Sequence, residues 1–315
     1  MIRDVPAWFQ YEAHVPFRLG VVTNEISQDL QHALKVAAEL GIRDVELNTL
    51  WGRQVTELTN AELAQVRALL DVYGMRVAVI LDGAFKAIPL DAIPAPGELE
   101  TEMYRRERQV LERAIAIAHM LGCERVRIFA FRRPMAGIEA GTPGWRPSPA
   151  PTPAELDRLA RGLRPLCELA GREGVTLVLE NVRYCYADTG AHTRQVVEVA
   201  GSPHLKVIWD PANAYVSAEG RAYPDGYAAV RTYTVHVHLK DARFTDRATG
   251  QTRWECIGAG EVDWAGQIRA LIRDGFAGVA GLETHWRLPG DTGERSTVET
   301  WRGLSKVVDR VLNSG

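Results

Sequence analysis

Apolar residues recur along this chain in two alternating rhythms. In DLQHALKVAAEL, Leu30, Ala33, Leu34, Ala37 and Leu40 fall on one helical face, a spacing that predicts an amphipathic helix. Gly41 then ends the helix and the short run IRDVELN reads as a strand. The same unit returns with Gly74 before MRVAVIL, Gly122 before CERVRIFAF, Gly174 before VTLVLEN and Gly275 before FAGVAGLET. Eight strands are predicted, at about 18–23, 44–48, 76–81, 125–130, 175–180, 206–210, 234–240 and 279–284.

Strands that alternate with helices imply parallel βαβ units. Eight of them in 315 residues suit a single α/β domain, a (β/α)8 TIM barrel over residues 18–315, preceded by an extension at residues 1–17. An open doubly wound sheet is the competing fold. It calls for a glycine-rich phosphate turn after the first strand, where this chain has TNEISQD. Two proline-rich stretches, DGAFKAIPLDAIPAPGELE after the third strand and RRPMAGIEAGTPGWRPSPAPTP after the fourth, read as long βα loops at the barrel mouth.

Composition narrows the function. Net charge is −3 with no basic stripe for a nucleic-acid backbone and no basic amphipathic helix for a membrane surface. No apolar run reaches the roughly 20 residues that span a bilayer. The N-terminal segment lacks the apolar core of a signal peptide, and Cys123, Cys167, Cys185 and Cys256 form no CxxC pair. The expectation is free thiols in a reducing cytoplasm.

The last four strands carry the chemistry. VTLVLE ends on Glu180, KVIWD on Asp210 and VAGLE on Glu283, while VHVHLKD places His236, His238 and Lys240 on one face of the seventh strand. The carboxylates and His238 are spaced 30, 28 and 45 residues apart, and a βαβ unit takes about 30. Adjacent strands thus bring three carboxylates and an imidazole together. Without a cation such a group must hold a proton or repel itself. With one divalent ion all four become ligands. The oxygen-and-nitrogen set suits Mn²⁺, Mg²⁺, Co²⁺ or Zn²⁺ and leaves positions open for a substrate. His236 and Lys240 are expected to line the same cavity.

TNEISQD, VELNTLWG, VLEN, IWDPANA, HVHLKD, IGAGEVDW and GLETHW together give the chain a resemblance, over nearly its whole length, to the sugar phosphate isomerase/epimerase family of xylose isomerase-like, metal-dependent TIM barrels. The resemblance implies that Glu180, Asp210, His238 and Glu283 hold one divalent metal, and that Glu180 and Glu283 are the catalytic pair that moves a proton next to a metal-bound carbonyl. It implies a small carbohydrate substrate (a sugar, keto-sugar or inosose), and isomerase or epimerase chemistry through an enediolate. A lyase or dehydratase shares the same first step, and a non-catalytic sugar-binding barrel is a third reading. The chain departs from many such epimerases at Asn213, where they have His: Asn hydrogen-bonds a hydroxyl but cannot shuttle a proton. That departure, with the acidic net charge, argues against the related DNA-repair endonucleases. Glu46, Asn213, His236, Lys240 and Arg243 are the expected substrate contacts, Arg243 as a holder of phosphate or carboxylate. Arg127 is the expected charge partner of the ligand carboxylates. Lys86 and His285 are placed on rim loops, and Trp51, Phe85 and Trp286 are candidate apolar faces for a sugar. The sequence leaves a homo-oligomer open.

Overall fold

The computed structural model describes residues 6–217 and 222–314. Eight parallel strands close into a barrel: β1 (Arg18–Val22), β2 (Asp44–Leu47), β3 (Arg76–Ile80), β4 (Arg125–Ile128), β5 (Thr176–Glu180), β6 (Leu205–Trp209), β7 (Thr234–Leu239) and β8 (Val279–Leu282). Each strand pairs with its neighbours in sequence, and β8 returns to β1 with Arg18 opposite Val279. This is the (β/α)8 barrel that the alternating pattern predicts, with strand limits within a residue or two of those expected.

The helices that cover the barrel are α1 (Leu30–Glu39), α2 (Asn60–Tyr73), α3 (Glu102–Leu121), α4 (Pro153–Glu173), α5 (Gly190–Ala200), α7 (Trp264–Arg273) and α8 (Glu294–Asn313); the short α6 (Pro211–Ser217) follows β6. Their starts are set by local chemistry. Thr59 and Glu62 form a reciprocal capping box on α2, as Thr152 and Glu155 do on α4. Their ends are set by glycine, as at Gly74 and Gly174, where φ values of 62° and 69° disfavour any side chain. The face of α1 predicted to be apolar is the buried one, with Leu30, Ala33, Leu34 and Ala37 against the barrel. Helix faces and outward strand residues make one large core. A smaller apolar cluster includes Val22, Ala78, Val178 and Ile208.

Three features depart from the repeating unit. Among the described residues no full-length helix covers β6: α6 and the short turns Ala222–Gly226 and Tyr227–Val230 stand in its place. After β7 the chain forms an antiparallel hairpin, Asp241–Asp246 with Gln251–Glu255. A small hairpin, Thr49–Leu50 with Arg53–Gln54, follows β2. At the N-terminus Trp8 packs against Phe17 and Trp301, and Pro6 accepts a hydrogen bond from the Trp301 indole at 2.8 Å. The four cysteines are unpaired. No helix among the described residues is long and apolar enough to cross a membrane.

Candidate metal centre and active site

The C-terminal ends of the strands are where backbone strain collects. The five described non-glycine residues with left-handed φ are Trp51, Phe85, Phe131, Tyr184 and His285. They follow β2, β3, β4, β5 and β8 within a few residues. Such conformations cost energy and cluster at functional rims.

Within that rim the predicted ligands converge. One donor atom from each of Glu180, Asp210, His238 and Glu283 lies within 4.8 Å of the other three. His238 Nδ1 is 3.2 Å from Glu180 Oε1, 3.3 Å from Glu283 Oε2 and 3.8 Å from Asp210 Oδ2. The position of each follows from the strand pleat, which turns alternate residues of β7 inward and ends β5, β6 and β8 at the barrel mouth. All four are buried, with Glu180 2% and Glu283 4% exposed, so the group is nearly closed to water.

Three cations balance the carboxylates. Arg127 of β4 reaches Glu180 Oε2 with Nη1 at 2.8 Å and anchors its Nε on the Asp82 carbonyl at 3.0 Å. Lys240 Nζ stands 2.7 Å from Asp210 Oδ2 and touches Glu283 Oε2. Burial pushes the His238 imidazole down, but Glu283, Glu180 and Glu46 outweigh it and hold it well above its usual value. Burial raises Glu180, yet His238 and Arg127 bring it down to about 2 despite Glu283. Glu283 falls well below the carboxylate range because Lys240 and His238 overcome its burial.

The expected substrate contacts are placed unevenly. Asn213 is spent on Glu180 and on the backbone: its Nδ2 donates to Glu180 Oε1 at 3.1 Å and to the Asn181 carbonyl at 3.0 Å. Glu46 and His236 are fully buried, as His238 is, and face each other and His238. Lys240 joins the carboxylates. Arg243 is not brought to the cluster: it lies on the hairpin, with Nε 2.9 Å from Glu255. Hairpin pairing turns this residue along the ladder rather than into the barrel. Lys86 lies over the Phe129 ring at 4.9 Å. Phe85 is buried against Phe131 and Tyr104, so it offers no face to a ligand.

Several further polar residues, to which the sequence pattern assigns no role, organise the site. Asn181 and Asp210 exchange two hydrogen bonds of 2.8 Å, which lock the end of β5 to the end of β6. Asp241 accepts from four backbone N–H groups, Ala242 and Val262 on Oδ1 and Gly258 and Gly260 on Oδ2. It thereby staples the loop before α7 to the end of β7. Glu25 accepts from the His285 N–H at 3.2 Å and from Arg287 at 2.6 Å, and so fastens the loop after β8 to that after β1. The N of VLEN, the D of HLKD and the E of TNEIS were the only signals for them.

The loops above interlock. Gly141 N–H donates to the Thr249 carbonyl at 2.8 Å, and Ala140 N–H to the Tyr184 hydroxyl at 3.0 Å. Arg183 donates to the Gly250 carbonyl at 3.0 Å and lies 5.4 Å from the Trp145 ring.

A closed parallel barrel with a carboxylate–imidazole cluster at its mouth defines a class, the (β/α)8 barrels with a potential metal centre. The chain belongs to the xylose isomerase-like TIM barrel family, whose sequence profile matches residues 34–304. No curated protein matches it. Among solved structures it is similar to a xylose isomerase domain protein from Planctomyces limnophilus, at 18% identity and a TM-score of 0.69 over 95% of this chain and 99% of that one. It is also similar to an L-ribulose 3-epimerase, at 19% identity and 0.66 over 95% and 98% of the two chains. The probable 3-DHS dehydratase AsbF of petrobactin synthesis in Bacillus anthracis matches at 16% and 0.65 over 93% and 100%. At such identities these likenesses speak for the fold.

Proposed function

We propose that this protein is a divalent-metal-dependent isomerase or epimerase of a sugar, keto-sugar or inosose. The observation that supports it is the convergence of Glu180, Asp210, His238 and Glu283 on one point at the barrel mouth. The donor set fits a divalent ion: three carboxylates and one imidazole nitrogen, buried together, whose charge is otherwise balanced by side-chain cations. Mn²⁺, Mg²⁺, Co²⁺ and Zn²⁺ all accept such ligands. When bound, the ion would polarise a substrate carbonyl and stabilise the charge that develops on its oxygen.

The chain's own groups supply the proton chemistry. Glu180 comes from β5 and Glu283 from beyond β8, so two strands separate them around the ring. A sugar held between them presents one face of its acidic carbon to each. One of the two, as carboxylate, removes the carbon-bound proton, and the other, after taking up a proton from solvent, delivers it to the opposite face. Arg127 keeps Glu180 ionised and therefore ready to accept. Asn213 fixes the other Glu180 oxygen, which sets the direction of its free lone pairs. Burial removes water that would compete for the proton.

A dehydratase reading starts with the same abstraction and needs an acid for the departing oxygen. The Lys240 ammonium beside Glu283 is the observation in its favour. One experiment addresses both. Purified protein is analysed for metal, then incubated with a panel of keto-sugars in D₂O and followed by NMR. Deuterium entering a carbon next to the carbonyl, with an isomer or epimer as product, is the expected result. An unsaturated product selects the dehydratase. A metal-free protein with no exchange on any candidate overturns the enzymatic reading.

A further inference from the structure

Beneath the carboxylate cluster lies a second polar group that sequence reasoning assigned to substrate. Glu46, on β2, is fully buried, as are His236 and His238 of β7. Glu46 Oε2 is 3.1 Å from His238 Nε2, and Glu46 Oε1 is 3.0 Å from His236 Nε2. Oε2 is thus committed to His238, while Oε1 faces His236 without a hydrogen bond of good geometry. The two imidazoles meet edge to face with centroids 5.5 Å apart. Space for the carboxylate comes from β8: a Cβ on Gly281 would overlap Glu46 Oε1 and crowd His236 Nε2. Burying a carboxylate here is costly without compensating contacts, and the two imidazole rings supply them.

We propose that Glu46 is a positioning residue for the metal centre: it takes the Nε2 proton of His238 in a hydrogen bond and so presents Nδ1 to Glu180, Asp210 and Glu283. An imidazole that ligates through one nitrogen must keep its proton on the other, and a carboxylate acceptor there fixes both tautomer and ring plane. His236 Nε2 stands 3.0 Å from the far oxygen of Glu46, and Gly281 leaves that carboxylate room. The inference rests on the metal reading above and concerns how this chain holds one of the ligands.

The test measures Mn²⁺ stoichiometry and affinity by titration calorimetry for the wild type, E46A, E46Q and G281A, with thermal melts of the metal-free proteins as a control for folding. The wild type is expected to take one Mn²⁺ per chain. E46A should weaken binding about 10- to 100-fold, the range for loss of such a partner. E46Q retains an acceptor oxygen and should recover part of the loss. G281A, which leaves every ligand in place but displaces Glu46, should weaken binding in the same direction as E46A. The visible spectrum of the Co²⁺ form should shift in E46A and return towards wild type in E46Q; a merely structural role would lower the melting temperature and leave the spectrum unchanged. If E46A does not fold, E46Q and G281A decide the matter. Wild type that takes up neither ion removes the metal reading itself. Wild type that binds Mn²⁺ with the affinity of both E46A and E46Q leaves that reading standing and overturns the role of Glu46. Two Mn²⁺ per chain, one lost in E46A, would make Glu46, His236 and His238 a second metal site and overturn the positioning role.

Discussion

Lys240 Nζ lies 2.7 Å from Asp210 Oδ2, so a tethered monovalent cation occupies part of the space where the ligand carboxylates converge. It also touches Glu283 and is 4.0 Å from Glu180 Oε1. Two cations cannot share those oxygens at close range without repulsion. A divalent ion must therefore compete with this ammonium for Asp210 and Glu283. K240M removes the competitor and leaves the carboxylates with an unbalanced negative charge. Mn²⁺ affinity is expected to rise about tenfold, or about 1.4 kcal/mol, while the metal-free protein melts at a lower temperature. Calorimetric titration and paired melts with and without Mn²⁺ check this. Unchanged or weaker Mn²⁺ binding in K240M would show that Lys240 does not compete.

The two-carboxylate proton transfer predicts a split between E180Q and E283Q. Each variant loses one proton acceptor, and removing a positioned acid–base group lowers turnover by about 10²- to 10⁴-fold. The residual partial reaction is more informative than the loss. Each variant keeps the carboxylate on one face, so each should still exchange solvent deuterium into one epimer and not the other. The epimer that exchanges should differ between the two. Loss of exchange from both epimers in both variants would argue that a single group serves both faces.

Much of this was readable in advance because barrel architecture turns sequence spacing into spatial order. Glu180, Asp210 and Glu283 each close an apolar run, and the pleat of VHVHLKD put His236, His238 and Lys240 on one side. What the pattern could not give was which side chains meet. Glu46 of β2 reaches His236 and His238 of β7 across the barrel, in room left by Gly281 of β8, and residue type alone does not foretell that contact. Arg243 follows β7 closely in sequence, but the chain leaves the barrel after Lys240 and starts a hairpin, so closeness along the chain does not bring it to the cluster. Asp241, Asn181 and Glu25 act through backbone groups brought in from distant loops, for which residue type alone gives no partner.

Arg127 offers a prediction about stability. Its guanidinium is buried, pairs with Glu180 and with the Asp82 carbonyl, and lies 4.9 Å from the Phe129 ring. Truncating it to Met strands a buried carboxylate. Removing one partner of such a pair costs about 3–5 kcal/mol. R127M should lower the urea midpoint accordingly, and the double variant R127M/E180Q should recover part of the loss because no charge is then stranded. A double variant as unstable as the sum of the two single ones would mean that packing, not the ion pair, sets the cost.

The start of α8 gives a pH dependence whose sign can be worked through. Asp291 precedes the helix and accepts from Ser296 twice on Oδ2, from the N–H at 2.7 Å and from the hydroxyl at 2.5 Å. Burial raises the carboxyl, but the Ser296 donors and others nearby outweigh it and bring it to about 2. An unfolded aspartate titrates near about 3.9. The folded state thus favours the ionised form, and the stability it contributes is fully present above about pH 4 and disappears as pH falls through about 2. D291N keeps the shape and loses the charge. Measured by urea unfolding, the stability difference between wild type and D291N should be about 1–2 kcal/mol at pH 7 and shrink towards zero between pH 4 and pH 2. Other carboxylates titrate over the same interval in both proteins, so they largely cancel in the difference. A gap that stays constant down to pH 2 would place the contribution of Asp291 in shape rather than charge.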